Sequence, residues 1–151
     1  MGTWGYGSFE NDTASDWIWE LKPAKKSILG KLKEPFGYPM SAVDALLRSD
    51  LYLECSECDE AIAASECLAA AVGSPMENPP EEIPRWVASL NGTKPDAELI
   101  QRSIRAVEKV RDDEHSESRA LWSESSETGD PDPQWIASIN NLISRLKSPA
   151  K

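Results

Sequence analysis

Residues 58–72 read Cys-Asp-Glu-Ala-Ile-Ala-Ala-Ser-Glu-Cys-Leu-Ala-Ala-Ala-Val, and beyond the acidic start this stretch is small and apolar almost throughout. Helical spacing places one set of residues on a single face: Cys58, Ala61, Ile62, Ser65, Leu68, Ala69 and Val72. Its other faces carry Ala63, Ala64, Cys67, Ala70 and Ala71. A helix that is apolar on every side is a buried helix. Ser56 with Asp59 predicts a capping box at its start, and Gly73 predicts its end.

Helical periodicity also dominates the rest of the chain. Capping and first-turn residues predict helix starts near Asn11–Asp12, Ser41, Pro95 and Asp132. A short basic helix is expected to carry Ile28, Leu29 and Leu32. The apolar stripes of the remaining helices are Ala14, Trp17, Ile18 and Leu21; Ile83, Trp86, Val87 and Leu90; Leu99, Ile100, Ile104, Val107 and Val110; and Trp135, Ile136, Ile139, Leu142, Ile143 and Leu146.

No stretch shows the period-two alternation of a strand. The sequence therefore predicts one compact all-α domain over residues 1–151, in which six or seven helices surround the alanine-rich helix. A loop rich in glycine and aromatic residues is expected to precede the first helix. Whether the helix that begins near Pro95 continues unbroken through residues 112–115 is left open by the pattern.

The chain is acidic, with a formal net charge of −10. Acids gather in residues 54–60 and 112–117, whereas lysines gather in residues 22–33. Such a charge repels phosphate backbones, so nucleic acid is not an expected partner, and it attracts a protein with a basic surface. No apolar run is long enough to cross a bilayer, and no secretory signal pattern opens the sequence, so we expect a cytoplasmic protein without a membrane partner. The alternative is that acidity only keeps the protein soluble.

Residues 4–12 read Trp-Gly-Tyr-Gly-Ser-Phe-Glu-Asn-Asp. This stretch resembles the Trp-Gly-x-Gly-x-Phe-(Asp/Glu)-Asn-Asp motif of a bacterial family known as domain of unknown function 4259. Further stretches are similar to the family's alanine-rich middle helix and C-terminal pattern: Tyr52-Leu53-Glu54, Ala63-Ala64-Ser65-Glu66, Ser116-Glu117, Leu121-Trp122, Trp135 and Arg145-Leu146. Ser118 stands where that pattern has leucine. The resemblance implies a fold and brings no activity with it.

The N-terminal motif is interpreted as structural. Gly2, Gly5 and Gly7 are expected to let the backbone pass close to Trp4, Phe9 and the first helix, where a Cβ atom would clash. Asn11 and Asp12 are interpreted as helix caps. Together with Asp16 they also offer oxygen ligands, but the spacing of a calcium loop is missing, so no metal site is predicted.

Three cysteines, Cys55, Cys58 and Cys67, lie in one helical stretch. The Cys-x-x-Cys pair stands at a helix N-terminus, where thiolates are stabilised, but a redox site of that kind normally has a βαβ context. A zinc site would need His115 as a fourth ligand. We interpret the cysteines as small buried side chains and expect neither a metal nor a cofactor.

Glu66 and His115 are the candidate catalytic residues. A carboxylate inside an alanine-rich helix is costly unless it is paired, and a buried unpaired one acquires a raised pKa that suits acid–base chemistry. The structural alternative for Glu66 is a set of partners drawn from the N-terminal loop amides, Trp4 Nε1 or an arginine such as Arg105. His115, the only histidine, lies in a polar run that is typical of an exposed turn.

The candidate binding residues are Trp19, Glu57, Asp59, Glu60, Asp112, Asp113 and Glu114. Trp19 is out of register with the first apolar face, so it is either an exposed anchor or a side chain tucked under the N-terminal loop. The leading hypothesis is a non-enzymatic interaction protein, similar to an immunity protein or antitoxin, whose acidic surface binds a basic partner. The alternatives are an enzyme that uses Glu66 or His115, and a structural domain that forms homo-oligomers.

Overall fold

A computed structural model describes residues 3–148 of the chain. Within that range the chain forms seven helices and no named strand, which confirms the all-α prediction. The helices are α1 (Asp12–Trp19), α2 (Gly37–Arg48), α3 (Cys55–Ala71), α4 (Glu82–Ser89), α5 (Ala97–Asp112), α6 (Glu117–Ser123) and α7 (Pro133–Lys147).

The alanine-rich helix α3 lies at the centre of the fold. Twelve of its 17 residues are buried, and it contacts each of the six other helices. Because most of these side chains are methyl groups or little larger, neighbouring helices pack closely on every side of it. The prediction of a helix buried all round is confirmed, and so is its end, since Gly73 adopts a φ of 91° just beyond it.

Polar side chains cap four of the helices. Asn11 Oδ1 accepts a hydrogen bond from Ala14 N at 2.7 Å, and Asp132 Oδ1 accepts one from Gln134 N at 2.8 Å, as the sequence predicted. Asp96 and Ser116 cap α5 and α6 in the same way. The predicted helix start at Pro95 is therefore wrong by two residues, because Asp96 is the cap and α5 begins after it.

The predicted basic helix does not form. The chain between α1 and α2 makes a tight turn closed by an antiparallel bridge between Lys26 and Leu32. Ile28 and Leu29 lie at its tip with their side chains exposed. Their positions in the sequence therefore do not mark the buried face of a helix. The predicted start of α2 at Ser41 is also wrong, because the helix begins at Gly37 and the Ser41 hydroxyl donates to the Gly37 carbonyl at 3.0 Å.

The predicted capping box of α3 is wrong as well. The N-cap residue is Glu54, which makes no side-chain capping bond. Instead, Glu117 from the start of α6 accepts a hydrogen bond from Cys55 N at 2.6 Å. A helix end can be satisfied by any suitable acceptor, including one distant in sequence.

The question left open about α5 is answered by a break at residues 113–116. Asp113 ends α5, and its carboxylate accepts a hydrogen bond from His115 N at 2.7 Å. Ser116 then caps α6. Among the residues described, no helix combines the length and the apolar character that crossing a membrane requires.

Candidate functional site

The N-terminal loop folds back on itself before α1. Thr3 bridges to Asn11, and Trp4 N donates to the Glu10 carbonyl at 2.9 Å. The Glu10 carboxylate in turn accepts a hydrogen bond from Gly7 N at 3.0 Å. A Cβ atom at Gly5 or Gly7 would lie only 2.5–2.6 Å from that carboxylate. Gly5 and Gly7 thus make room for the Glu10 side chain, and not for Trp4 as the sequence suggested, since the Trp4 side chain is exposed; Gly2 lies outside the described residues.

This loop is anchored to the centre of the fold through Glu66. The Ser8 hydroxyl donates to Glu66 Oε2 at 2.7 Å, while Arg145 from α7 donates to Oε1 at 2.7 Å and to Oε2 at 3.0 Å. Glu66 is only 2% exposed, and its negative charge is balanced inside the fold by the Arg145 guanidinium. The geometry favours the structural interpretation, with Arg145 and Ser8 as partners in place of Arg105 or Trp4.

A cavity of about 430 Å³ opens between this loop, the start of α1 and helices α3, α6 and α7; we call it the N-terminal cleft. Its lining mixes aromatic and aliphatic walls with short polar side chains. The residues are Thr3, Gly5, Tyr6, Gly7, Ser8, Asn11, Thr13, Cys55, Asp59, Ile62, Ser118, Leu121, Trp122, Trp135, Ser138 and Ile139. Neither Glu66 nor His115 belongs to it, so the two candidate catalytic residues do not meet there.

Asp59 is the only charged residue in this lining as the structure describes it. Burial raises the pKa of its carboxyl to about 6, and the nearby carboxylates of Glu60 and Glu117 add to that rise. Its recorded hydrogen-bond partner is the Cys55 thiol, which donates weakly across 3.7 Å. Asp59 was predicted to lie on an acidic binding surface; it faces the cleft.

The three cysteines lie in surroundings that raise the pKa of their thiols. All three are free, and Cys58 and Cys67 are buried. Burial raises the pKa of the Cys55 thiol to about 11 and raises that of Cys58, so the helix start does not stabilise a thiolate here. No cluster of three His, Cys, Asp or Glu side chains suited to a metal ion occurs in the described part of the chain.

A second, wider cavity of about 880 Å³ lies between residues 20–41 and the helices α4 and α5. Its lining mixes both signs of charge, with Lys25, Lys33, Lys94 and Arg102 beside Glu20, Glu34 and Glu98. Tyr38 lies in it, stacks on Trp17 and donates its hydroxyl to the Trp17 carbonyl at 2.6 Å. Such a mixed lining selects no single sign of ligand.

The two acidic runs of the sequence meet at the surface. Leu53 and Ser116 form a parallel bridge, with Leu53 N donating to the His115 carbonyl at 3.0 Å and Glu117 N donating to the Leu53 carbonyl at 2.9 Å. Glu54 and Glu114, which flank this bridge, are both exposed. Next to them Leu51 and Tyr52 are 83% and 52% exposed. We call Leu51, Tyr52, Glu54, Glu114 and Glu117 the acidic face.

The remaining predicted binding residues are spread around this region. Glu57 accepts a hydrogen bond from the Ser49 hydroxyl at 2.9 Å. Burial of the Glu60 carboxyl raises its pKa, and the nearby Glu57 carboxylate raises it further. Asp112 is held by Arg111 at 2.7 Å, which lowers the pKa of its carboxyl. Asp113 binds the His115 backbone, as described above, and lies 3.4 Å from Nδ1 of His115.

Two further predicted residues have exposed side chains. The His115 side chain lies at the surface between Asp113 and Glu114, as expected for a polar turn. Trp19, at the end of α1, is 69% exposed, so the interpretation that it tucks under the N-terminal loop is wrong.

Sequence reasoning singled out some residues that line the cleft, among them Gly5, Gly7, Asn11 and Asp59, but did not predict that they share a cavity. Tyr6 and Trp122 place their rings 4.9 Å apart, and Ser118 contacts the Cys55 thiol at 3.7 Å. One signal was present: Ser118 departs from the leucine of the family pattern at a position that the fold turns toward the cleft. The pairing of Tyr6 with Trp122 has no local signal, because the two residues are far apart in the chain.

Of the comparisons with known proteins, only the one with family models gives a match. No curated protein and no solved structure matches the chain. The model of a family described as "Domain of unknown function (DUF4259)" matches residues 2–137, which include the N-terminal motif, α3 and the start of α7. The matched part is most of the 151-residue chain, and the protein therefore belongs to the DUF4259 family.

Proposed function

We propose that this protein is an acidic interaction module that binds a protein with a basic surface, in the manner of an immunity protein or antitoxin covering the basic site of a cognate toxin. The observation that carries the proposal is the Leu53–Ser116 bridge, which joins two acidic segments from distant parts of the chain into one face. The three free cysteines agree with a reducing compartment such as the bacterial cytoplasm, where we place this interaction.

Charge supports this function through the encounter rate. The chain has a net charge of −10, and its lysine-rich turn at residues 25–33 lies in a different segment from the acidic face. A field of one sign attracts an oppositely charged partner and speeds association, an effect that falls as salt rises. Exposed Glu54 and Glu114 contribute to this field, and neither forms an ion pair with a lysine or arginine of residues 3–148.

Apolar anchors support it through affinity. Leu51 and Tyr52 are exposed beside the two glutamates, and tyrosine is among the residues that most often contribute strongly to binding. Two exposed apolar side chains with glutamates near them suit a partner in which basic residues lie next to an apolar depression.

The test is a pull-down of the tagged protein from its native host at low and at moderate salt, read by mass spectrometry. We expect a stoichiometric basic partner whose recovery falls as salt rises. Recovery of no basic partner, or binding that salt does not affect, would contradict the proposal. Recovery of the chain itself would favour the oligomer hypothesis, which gel filtration then checks.

A matched pair of charge reversals locates the surface. Glu114→Lys lies on the acidic face and is expected to weaken partner binding about tenfold, because it places a like charge opposite the partner's basic residues. Glu77→Lys makes the same change on the exposed loop at the other end of α3 and is expected to alter binding by less than about twofold. Equal effects of the two variants would show that only net charge matters.

A further inference from the structure

We propose that the N-terminal cleft binds a small apolar amine, whose ammonium group pairs with Asp59 while its hydrocarbon part contacts Tyr6 and Trp122. This site adjoins the acidic face, since Glu117 accepts a hydrogen bond from Cys55 N, but it does not depend on the partner proposed above. Its ligand class follows from the charge, the shape and the polar groups of the lining.

The charge of the lining selects a cation. Asp59 is its single charged residue within residues 3–148, and no basic side chain of that range forms an ion pair with it. A partly buried carboxylate without a cation is costly, and a ligand ammonium supplies the missing charge. Glu60 and Glu117, the other acids near Asp59, repel an anionic ligand further.

The walls select an apolar body. Ile62, Leu121, Trp135 and Ile139 line the cleft together with the tilted ring pair of Tyr6 and Trp122. A cavity of about 430 Å³ is of the size that holds small organic ligands. Aromatic faces also attract a cation that lies over them, which adds to the preference for an amine.

Short polar groups complete the binding site for the ammonium. The Cys55 sulfur lies 3.7 Å from Asp59 Oδ2 and 3.7 Å from Ser118 Oγ, so a carboxylate and a hydroxyl flank the same thiol in the lining of the cleft. A primary ammonium has three donors, and a carboxylate and a serine hydroxyl are both acceptors for them. The thiol between them stays protonated at neutral pH, because burial and the adjacent Asp59 raise its pKa.

The test is isothermal titration of the full chain with phenethylamine, and with phenethyl alcohol and phenylacetate as neutral and anionic counterparts of similar shape. We expect saturable binding of phenethylamine with a dissociation constant on the order of 1 mM or below, and binding of the other two weaker by about tenfold or more. Equal binding of the three compounds, or no saturable binding of the amine at about 10 mM, would overturn the proposal.

The matched variants are Asp59→Asn and Glu60→Gln, which remove neighbouring carboxylates inside and outside the cleft. Asp59→Asn is expected to weaken phenethylamine binding about tenfold, and Glu60→Gln by less than about twofold. The reverse order would contradict the assignment of the charge.

If Asp59→Asn does not fold, the pH dependence of amine binding to the unaltered protein tests the role of Asp59 instead. Amine binding is expected to strengthen from about pH 5 to about pH 7.5, as the carboxyl ionises while the amine stays protonated. The other titratable groups of the lining, Cys55 and Tyr6, have raised pKa values and remain neutral over this range. Binding that does not change across it would overturn the role of Asp59.

Discussion

Arg145, near the end of α7, donates two hydrogen bonds to Glu66 in the middle of α3, from Nη1 to Oε1 at 2.7 Å and from Nη2 to Oε2 at 3.0 Å. Both oxygens of a fully buried carboxylate are thereby satisfied, and the second also receives the Ser8 hydroxyl. The same group therefore holds the last helix and the N-terminal loop against the central helix.

The first prediction concerns this contact. Glu66→Gln removes the negative charge but keeps the shape, and leaves Arg145 without its ionic partner inside the fold. We expect the free energy of unfolding, measured by urea denaturation, to fall by about 1–3 kcal/mol. Glu77→Gln, on an exposed loop, is the control and should change it by less than about 0.5 kcal/mol. An unchanged denaturation midpoint for Glu66→Gln would reopen an acid–base role for this residue.

The second prediction concerns Asp59 and pH. Its folded pKa of about 6 lies above the ordinary value of 3.8, so the folded protein holds this proton more tightly than the unfolded chain. The stabilising effect of that proton is complete below the unfolded pKa and is lost as pH rises through about 6. Asp59→Asn should therefore stabilise the protein by about 1–2 kcal/mol at about pH 8, a figure reduced for partial solvation of the carboxyl.

The same variant should have little effect near pH 4, where Asp59 itself is becoming neutral in both states. Thermal unfolding followed by circular dichroism at several pH values gives the comparison, with Glu54→Gln as an exposed control. A variant that is less stable than the parent at every pH would mean that Asp59 is a structural partner and not a strained group.

The third prediction concerns the N-terminal loop. Gly7→Ala places a Cβ atom 2.6 Å from Glu10 Oε1, so the Glu10 side chain must move and lose its hydrogen bond with Gly7 N. We expect a loss of about 0.5–1.5 kcal/mol in unfolding free energy. Gly37→Ala is the matched control, because its nearest neighbour lies at 3.6 Å and an alanine at the start of α2 should be neutral or slightly stabilising. A Gly7→Ala variant as stable as Gly37→Ala would contradict this account of the loop.

The fourth prediction concerns thiol reactivity. With a pKa of about 11, Cys55 holds very little thiolate at pH 8, and alkylation by iodoacetamide should be about 100-fold slower than for an ordinary free cysteine. Cys58 and Cys67 are buried and should react only on unfolding. Mass spectrometry after timed labelling measures each site. Rapid labelling of Cys55 in the native protein would indicate an activated thiol and revive a redox role.

The sequence predicted those features of the fold that arise from residues close together in the chain. The burial of α3 follows from its own composition, and the caps at Asn11 and Asp132 act within three residues, so both were predicted. The first turn of α3 is different, because its acceptor, Glu117, lies 62 residues away from the Cys55 amide that it satisfies. The arginine that pairs with Glu66 was placed on the wrong helix, since sequence periodicity does not say which faces of two helices meet.

At residues 22–33 the local pattern predicted a helix that the structure does not contain. Ile28, Leu29 and Leu32 have a spacing that suits a helix, but a helix needs another element to cover its apolar side. None does so for Ile28 and Leu29, and the backbone forms a bridged turn instead. The cleft escaped prediction for a related reason: its lining comes from the N-terminal loop and four helices, and only the folded chain brings Tyr6 to Trp122.

The central position of α3 has a consequence for folding. Because each of the other helices packs against it, we expect them to lose much of their buried interior when α3 unfolds. We therefore expect that the chain cannot be cut into two halves that fold alone, and that a shortened version loses protection throughout residues 3–148. Hydrogen exchange should therefore report one cooperative unit, in which amides of α3 open only when the entire protein does.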